Sequence, residues 1–318
     1  MDGKNQTTGF LLQGFSELPR FRPLLFVLLL VGHLATLTGN LSILVAVASA
    51  PQRPPMLLFL GQLSGIELGY ALVVGPRLLA DLAGPASPAG RPISFLGCAA
   101  QMQMFVALGG AECFLLASMA FDRYMAVCLP LRYPAVVTPA LCARLAVGCG
   151  LGALAVSLGL TVTVARLPFC RSRLLPHFFC DVTALLQVAC TQGRVDELPL
   201  LAASVLLLLL PSLLILASYG AVVAAVLRVP AAAGRHKAFS TCASHLTVTV
   251  LHYGCAAFTY VRPKASYRPR RDKVLSLVYT NLTPLLYPLI YSLRNREVTG
   301  AIRKRLGPRR AGQTLSRP

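Results

Sequence analysis

Seven long apolar stretches govern what this chain can fold into. They fall at 24–50, 57–80, 98–128, 141–165, 197–227, 238–261 and 273–293 of its 318 residues. A helix needs about 20 residues to cross the hydrocarbon core of a bilayer, and every stretch meets that length. Inside lipid each backbone N–H and C=O must be satisfied within the segment, so these runs are expected as helices. Charged residues make up 13% of the chain, against about 25% in soluble domains, too few to wet a globule of this size. The expectation is an all-α membrane protein, a seven-transmembrane-helix bundle. Pro211 and Pro288 fall inside spans, where kinks are tolerated.

The formal charge of +19 raises the question of nucleic acid. The basic residues sit in short gaps between apolar runs, not on an amphipathic face or in an aromatic-basic motif, so that class is excluded. Basic loops at a lipid surface account for them. Met1 to Arg22 is polar, and the first apolar run is too long for a cleavable signal, so it reads as a retained anchor.

The tail 294–318 holds eight Lys/Arg, which favours a cytoplasmic C-terminus. The loop 262–272 is basic too, so charge alone does not decide orientation. Two other signals do. Asn5-Gln6-Thr7 is a glycosylation sequon, and the loop 166–196 carries Cys170, Cys180 and Cys190, whose disulfides persist only on the oxidising side. The chain is therefore read as one membrane domain, 1–318, with 1–23 outside and 294–318 inside. Sequons at Asn40 and Asn281 lie within spans and are expected to stay unmodified. Of ten cysteines, Cys98, Cys170, Cys180 and Cys190 lie on the outer side. Four allow three pairings, and spacing does not choose among them.

Acidic residues inside spans are costly and mark function. Glu67 lies about 15 Å into the second span and Glu112 about 16 Å from the cytoplasmic end of the third, at 1.5 Å per residue. Asn40 falls at the same level in the first. A shared buried polar site is expected, and two nearby carboxylates need a cation or a shared proton, so sodium or a proton is the one ligand it implies. His33 and His252 read as packing residues. His177, Cys180 and Asp181 are metal-binding residue types, but a disulfide sulfur is no thiolate ligand. No metal, other cofactor or catalytic constellation is expected.

Several motifs together resemble one family. Met119-Ala-Phe-Asp-Arg-Tyr-Met-Ala-Val-Cys128 and Pro130-Leu-Arg-Tyr133 are similar to the olfactory receptor signature closing the third helix. Lys237-Ala-Phe-Ser-Thr-Cys-Ala-Ser-His-Leu246 resembles its sixth-helix start, and Pro288-Leu-Ile-Tyr-Ser-Leu-Arg-Asn295 its seventh-helix ending. Gly39-Asn40, Pro55-Met56, Leu63-Ser64 and Ser218-Tyr219 also fit, and His177-Phe-Phe-Cys-Asp181 resembles the tetrapod-type (class II) branch. The match runs from about Gly9 to Lys304.

The resemblance implies a rhodopsin-like receptor that binds small, hydrophobic volatiles and activates a stimulatory G protein to raise cyclic AMP. It implies disulfides Cys98–Cys180 and Cys170–Cys190. It implies a pocket of Met102, Phe105, Val106 and Gly109 on the third helix, and Ala203, Ser204 and Leu207 on the fifth. Tyr253, Ala256, Ala257 and Tyr260 would come from the sixth, and Leu277 and Thr280 from the seventh. Asp122, Arg123, Tyr124, Tyr219, Tyr287, Pro288 and Tyr291 would carry activation.

The chain also departs from the family pattern. Tyr287 stands where Asn precedes Pro288, Glu67 where Asp is usual, Phe121 where Tyr is usual and Leu129 where His is favoured. Tyr287 keeps alive a second reading, a receptor of this fold that is non-olfactory or impaired in signalling. A proton or ion transporter is the remote alternative, since no repeats or paired broken helices support it. A retinal pump would need a lysine midway along the last span, and Lys273 is at its start.

Overall fold

The computed structural model describes residues 9–50, 53–85, 87, 89–170, 172–190, 198–228, 232–261 and 268–294. Asn5, the tail beyond Arg294 and residues 262–267 of the basic loop 262–272 lie outside the described residues. The expected spans are helices: α1 (Arg22–Ser49), α2 (Pro55–Ala83), α3 (Phe95–Cys128) and α5 (Pro139–Ala165), with a short α4 (Tyr133–Val136) after α3. A short α6 (Val182–Val188) lies in the outer loop. The fifth span is α7 (Leu198–Ser204), a π-turn at Val205–Leu209 and α8 (Leu210–Leu227). The sixth is α9 (Ala232–Tyr260). The seventh is α10 (Pro269–Leu277), a π-turn at Val278–Leu282 and α11 (Thr283–Arg294).

Local chemistry sets several helix starts. Ser94 Oγ accepts from Gly97 N at 3.1 Å to open α3, Thr138 Oγ1 accepts from Leu141 N at 3.2 Å to open α5, and Pro139 follows at the first helical position. Each satisfies an N–H that has no partner inside its helix. Six of the spans are long and apolar enough to cross a membrane. The seventh long helix, α9, has 29 residues, about 43 Å at 1.5 Å per residue. That exceeds the roughly 30 Å hydrocarbon core.

The surface is apolar where a soluble protein's would be polar. Leu24, Val27, Leu28, Val31 and Leu34 of α1 are all more than half exposed, as are Val147 and Leu151 of α5 and Leu214 and Leu216 of α8. The interior holds the polar groups: Asn40, Glu67, Glu112, Asp122, His245 and His252 are buried. This is the arrangement a bilayer selects, because lipid covers leucine as well as a protein core does and leaves a charge unsolvated. The third helix is central, packing against α2, α5, α8 and α9, while α1 packs on α2 and α11.

One element departs from the all-helical expectation. A strand β1 (Gly9–Leu12) runs between β2 (Arg91–Ser94), antiparallel, and β3 (Leu174–Leu175), parallel. A built Cβ at Gly9 would stand 2.3 Å from the Ile93 carbonyl oxygen, so only glycine lets the strands meet there. The N-terminal segment is thus tied to both outer loops. Lys273 anchors it further, its Nζ donating to the Gly14 carbonyl at 2.6 Å and Glu17 Oε1 at 2.9 Å. Arg22 donates to the carbonyls of Asp81, Leu82 and Gly84 at the end of α2, satisfying oxygens that α2 cannot.

Candidate functional site: a lidded apolar cavity above a buried polar centre

A cavity of about 60 Å³ lies among the outer halves of the third, fifth, sixth and seventh spans. Its lining takes in eight of the expected pocket residues: Phe105, Val106, Gly109, Ala203, Ser204, Leu207, Ala256 and Tyr260. The others are elsewhere. Met102 packs instead in the cluster around Cys98 and Cys180. Tyr253 turns its hydroxyl to the Cys113 carbonyl at 2.9 Å. Ala257 is exposed and faces lipid. Thr280 Oγ1 donates to the Ser276 carbonyl at 2.7 Å. In the seventh span Tyr279 lines the cavity in place of Leu277 and Thr280. The π-turn at Val278–Leu282 inserts an extra residue per turn and so shifts which side chain faces inward. The fifth span's π-turn brings both Leu207 and Leu208 to the wall.

Sequence reasoning also missed Tyr70, Gly110, Cys113, Leu160 and His252. Tyr70 and Tyr279 share a hydroxyl–hydroxyl hydrogen bond at 3.0 Å, and a Cβ built on Gly109 would stand 2.3 Å from the Tyr70 hydroxyl. That glycine makes the room the tyrosine pair occupies.

The lid is the segment His177–Asp181. Disulfides join Cys98 to Cys180 and Cys170 to Cys190. Cys180 N donates to Gln101 Oε1 at 3.0 Å, tying the lid to α3. Tyr260 donates to Asp181 Oδ2 at 2.9 Å, tying it to α9. His177 Nε2 meets Ser276 Oγ at 3.2 Å, tying it to α10. Asp181 also caps α6, accepting from Thr183 N at 2.8 Å, and α6 places Val182 on the cavity wall. His177 is thus a buried anchor and Cys180 a disulfide partner. Burial lowers the His177 pKa to about 4, so the imidazole is neutral near pH 7.

Below the cavity sits the polar centre. His252, read from sequence as a packing residue, stands with Nδ1 2.8 Å from Glu112 Oε1 and Nε2 3.2 Å from Cys113 Sγ. The Glu112 contact is close and electrostatic, without the alignment of a full hydrogen bond. Glu67 lies within electrostatic reach of Glu112 and His252, and Tyr287 within reach of both carboxyls. Both Glu67 oxygens and the Tyr287 hydroxyl are buried without an aligned hydrogen-bond partner among the described residues. Asn40 makes different contacts: its Nδ2 donates to the carbonyls of Thr36 at 3.0 Å and Pro284 at 3.3 Å. His33 is a packing residue as expected, seated against Gly75.

At the inner end Asp122 is fully buried. Its Oδ2 accepts from Arg123 Nη2 at 2.5 Å and Nε at 3.0 Å, and its Oδ1 from the Tyr133 hydroxyl at 2.8 Å. Tyr124 packs at the edge of the inner core cluster, which includes Tyr219, Tyr287 and Tyr291. The Tyr219 hydroxyl meets His245 Nδ1 at 2.6 Å, and His245 Nε2 meets the Leu116 carbonyl at 3.1 Å. A carbonyl can only accept, so Nε2 carries the proton and Nδ1 accepts from Tyr219. This neutral imidazole joins the third, fifth and sixth spans.

The family model described as olfactory receptor matches residues 28–308. Human olfactory receptor 10AC1 is 69% identical over 98% of this chain and 97% of its own length. Human olfactory receptors 10Z1 and 10C1 are each 45% identical, over 96% and 94% of this chain and 96% and 95% of their own. Receptors of this kind are multi-pass plasma-membrane proteins and not enzymes. With seven spans, a disulfide-tied outer lid and a match over nearly its whole length, the chain belongs to the olfactory receptor family of rhodopsin-like, G-protein-coupled receptors.

Proposed function

We propose that the cavity under the His177–Asp181 lid is the odorant site, and that its occupation activates a stimulatory G protein and raises cyclic AMP. The observation that carries this reading is the cavity itself: apolar walls from six spans with a few hydroxyls, bordered by Val182, which directly follows a loop segment tied to three of those spans. Such a site suits a small hydrophobic volatile. Its volume of about 60 Å³ is below the roughly 150 Å³ that holds benzene in an engineered cavity, so binding requires the walls to move apart. That requirement links the site to the inner end, because α9 supplies both Ala256 at the wall and His245 at the latch.

In the resting arrangement Arg123 is held by its neighbour Asp122 and α9 is held to α3 and α8 through His245. A ligand that fits better when the outer half of α9 shifts favours the state in which the inner half swings away and Arg123 meets the G-protein tail. Only a difference in affinity between the two states can drive that shift. Between the two ends, Glu67 and Glu112 share a proton, or a sodium ion that the unpartnered oxygens of Glu67 fit by their chemistry.

The test is cyclic AMP in cells expressing the chain, screened against a panel of volatiles, with Gly109→Ala alongside. Its added methyl displaces the Tyr70 hydroxyl into the cavity, so an active volatile is expected to lose about tenfold or more in potency at unchanged surface level, from one overpacked contact of roughly 1–3 kcal/mol. Full potency in that variant, at normal surface level, rejects this cavity as the site.

A further inference from the structure

The cavity floor carries a chemical feature that odorant binding by shape does not require. Glu112 and Cys113 are consecutive residues of α3, and side chains one apart on a helix point about 100° from each other. The ring of His252, from α9, fits between them. Its Nδ1 is 2.8 Å from Glu112 Oε1 and its Nε2 is 3.2 Å from Cys113 Sγ. All three are buried, and Cys113 and His252 line the cavity. An imidazole with a carboxylate at one nitrogen and a thiol at the other is the arrangement that converts a thiol into a nucleophile. The Glu112 carboxylate keeps the proton on Nδ1, which leaves Nε2 to accept from Sγ. It also stabilises the imidazolium that then forms. Cys149, by contrast, meets Ser118 Oγ at 3.6 Å, a group that cannot take its proton.

Resting on the odorant reading above, we propose that Cys113 is a covalent capture site for small α,β-unsaturated carbonyl volatiles. His252 takes the proton from Sγ, and the sulfur attacks the β-carbon. The S–C bond forms as the C=C π bond breaks, and the electron pair moves onto the carbonyl oxygen as an enolate. His252 then returns the proton to the α-carbon. The product is a saturated thioether aldehyde or ketone, with no leaving group, oxidant or further reactant. Phe105, Val106 and Leu207 receive the alkyl chain.

The experiment uses the full chain in cell membranes, with trans-2-hexenal as probe and hexanal as the saturated control. Borohydride fixes the adduct, and peptide mass spectrometry reads each free cysteine. Hexenal should label Cys113 at least about tenfold faster than Cys255, the modest end of what a positioned base contributes, and Cys113→Ser should abolish that label. His252→Gln, and Glu112→Gln as an independent variant, should each slow Cys113 labelling by about tenfold while leaving unchanged the rate at Cys128, a free cysteine at the far end of α3. Cys113 left unlabelled, or labelled no faster than Cys255, or at the same rate in both variants, overturns the proposal. If saturated volatiles raise cyclic AMP through the cavity while Cys113 stays unlabelled, the odorant reading stands and the covalent one falls. If Cys113 is labelled as expected and no volatile raises cyclic AMP, the capture chemistry stands and the signalling reading falls.

Discussion

Asn40 Nδ2 donates to the carbonyl of Pro284 across the contact between the first and seventh spans, at 3.3 Å. That carbonyl would ordinarily accept from the N–H four residues on, but residue 288 is a proline and has none. Asn40 thus satisfies the group that Pro288 frees, and Gly39 lets the helices approach: a Cβ there would stand 3.1 Å from Pro288 Cβ. Asn40→Ala should destabilise the receptor by about 0.6–2 kcal/mol, the span for interhelical hydrogen bonds in membranes. Thermal unfolding in detergent reads it. Equal melting of Asn40→Ala and wild type would show that another group satisfies the carbonyl.

His177 gives the lid a pH dependence whose sign can be worked out. Its folded pKa is about 4, below the ordinary value of about 6.5. Burial is the main cause. Lys273 adds to the lowering, and Asp181 and Asp272 oppose it. Above pH 6.5 neither state binds the proton, and the neutral imidazole keeps its contact with Ser276. Between about 6.5 and 4 the unfolded segment binds a proton that the folded one refuses, so stability falls by up to about 1.4 kcal/mol per pH unit. Hydrogen-exchange protection of residues 177–181, referred to the intrinsic exchange rate at each pH, should fall on acidification through that window, and His177→Gln should flatten the response. An unchanged pH profile in the variant assigns the effect to the acidic neighbours.

Tyr133 holds one oxygen of Asp122 while Arg123 holds the other. Tyr133→Phe removes one hydrogen bond from a buried carboxylate, about 1.5–3 kcal/mol for a charged partner. Part of that loss falls on the resting state, so basal cyclic AMP is expected to rise several-fold at matched surface level. Basal activity equal to wild type would mean that the hydroxyl serves both states alike.

Tyr287 is 1% exposed and belongs to the core cluster with Leu63, Leu116 and Tyr291. Its ring fills the space beside Glu67 and Glu112, so Tyr287→Asn opens a cavity as well as changing the polar groups. Large-to-small changes in a core typically cost about 2–5 kcal/mol. The single variant should therefore lower surface expression and leave cyclic AMP responses unchanged or reduced, and adding Glu67→Asp should recover part of the loss. A gain in expression and signalling from Tyr287→Asn alone would instead mark the tyrosine as damage in a receptor drifting out of use.

The seven spans follow from length and apolarity, because lipid leaves the backbone no option but a helix wherever a long apolar run enters it. Buried carboxylates were legible for a related reason: Glu67 and Glu112 cannot face lipid, so they had to face inward. Which neighbour each would meet was not. The sequence places Asn40 at the depth of the carboxylates, but depth says nothing of rotation about the helix axis, and the folded bundle turns Asn40 to Pro284 while bringing in His252 from α9. The π-turn at Val278–Leu282 shows the same limit, since one extra residue in a turn exchanges Leu277 and Thr280 for Tyr279 at the cavity wall. The strand Gly9–Leu12 carries too short a pattern to be read locally and exists because two distant loops flank it. Periodicity and hydropathy therefore determined which segments cross the membrane and which residues must be inside. Helix rotation, π-turns and long-range pairing, which depend on how neighbouring surfaces fit, decided what those residues touch.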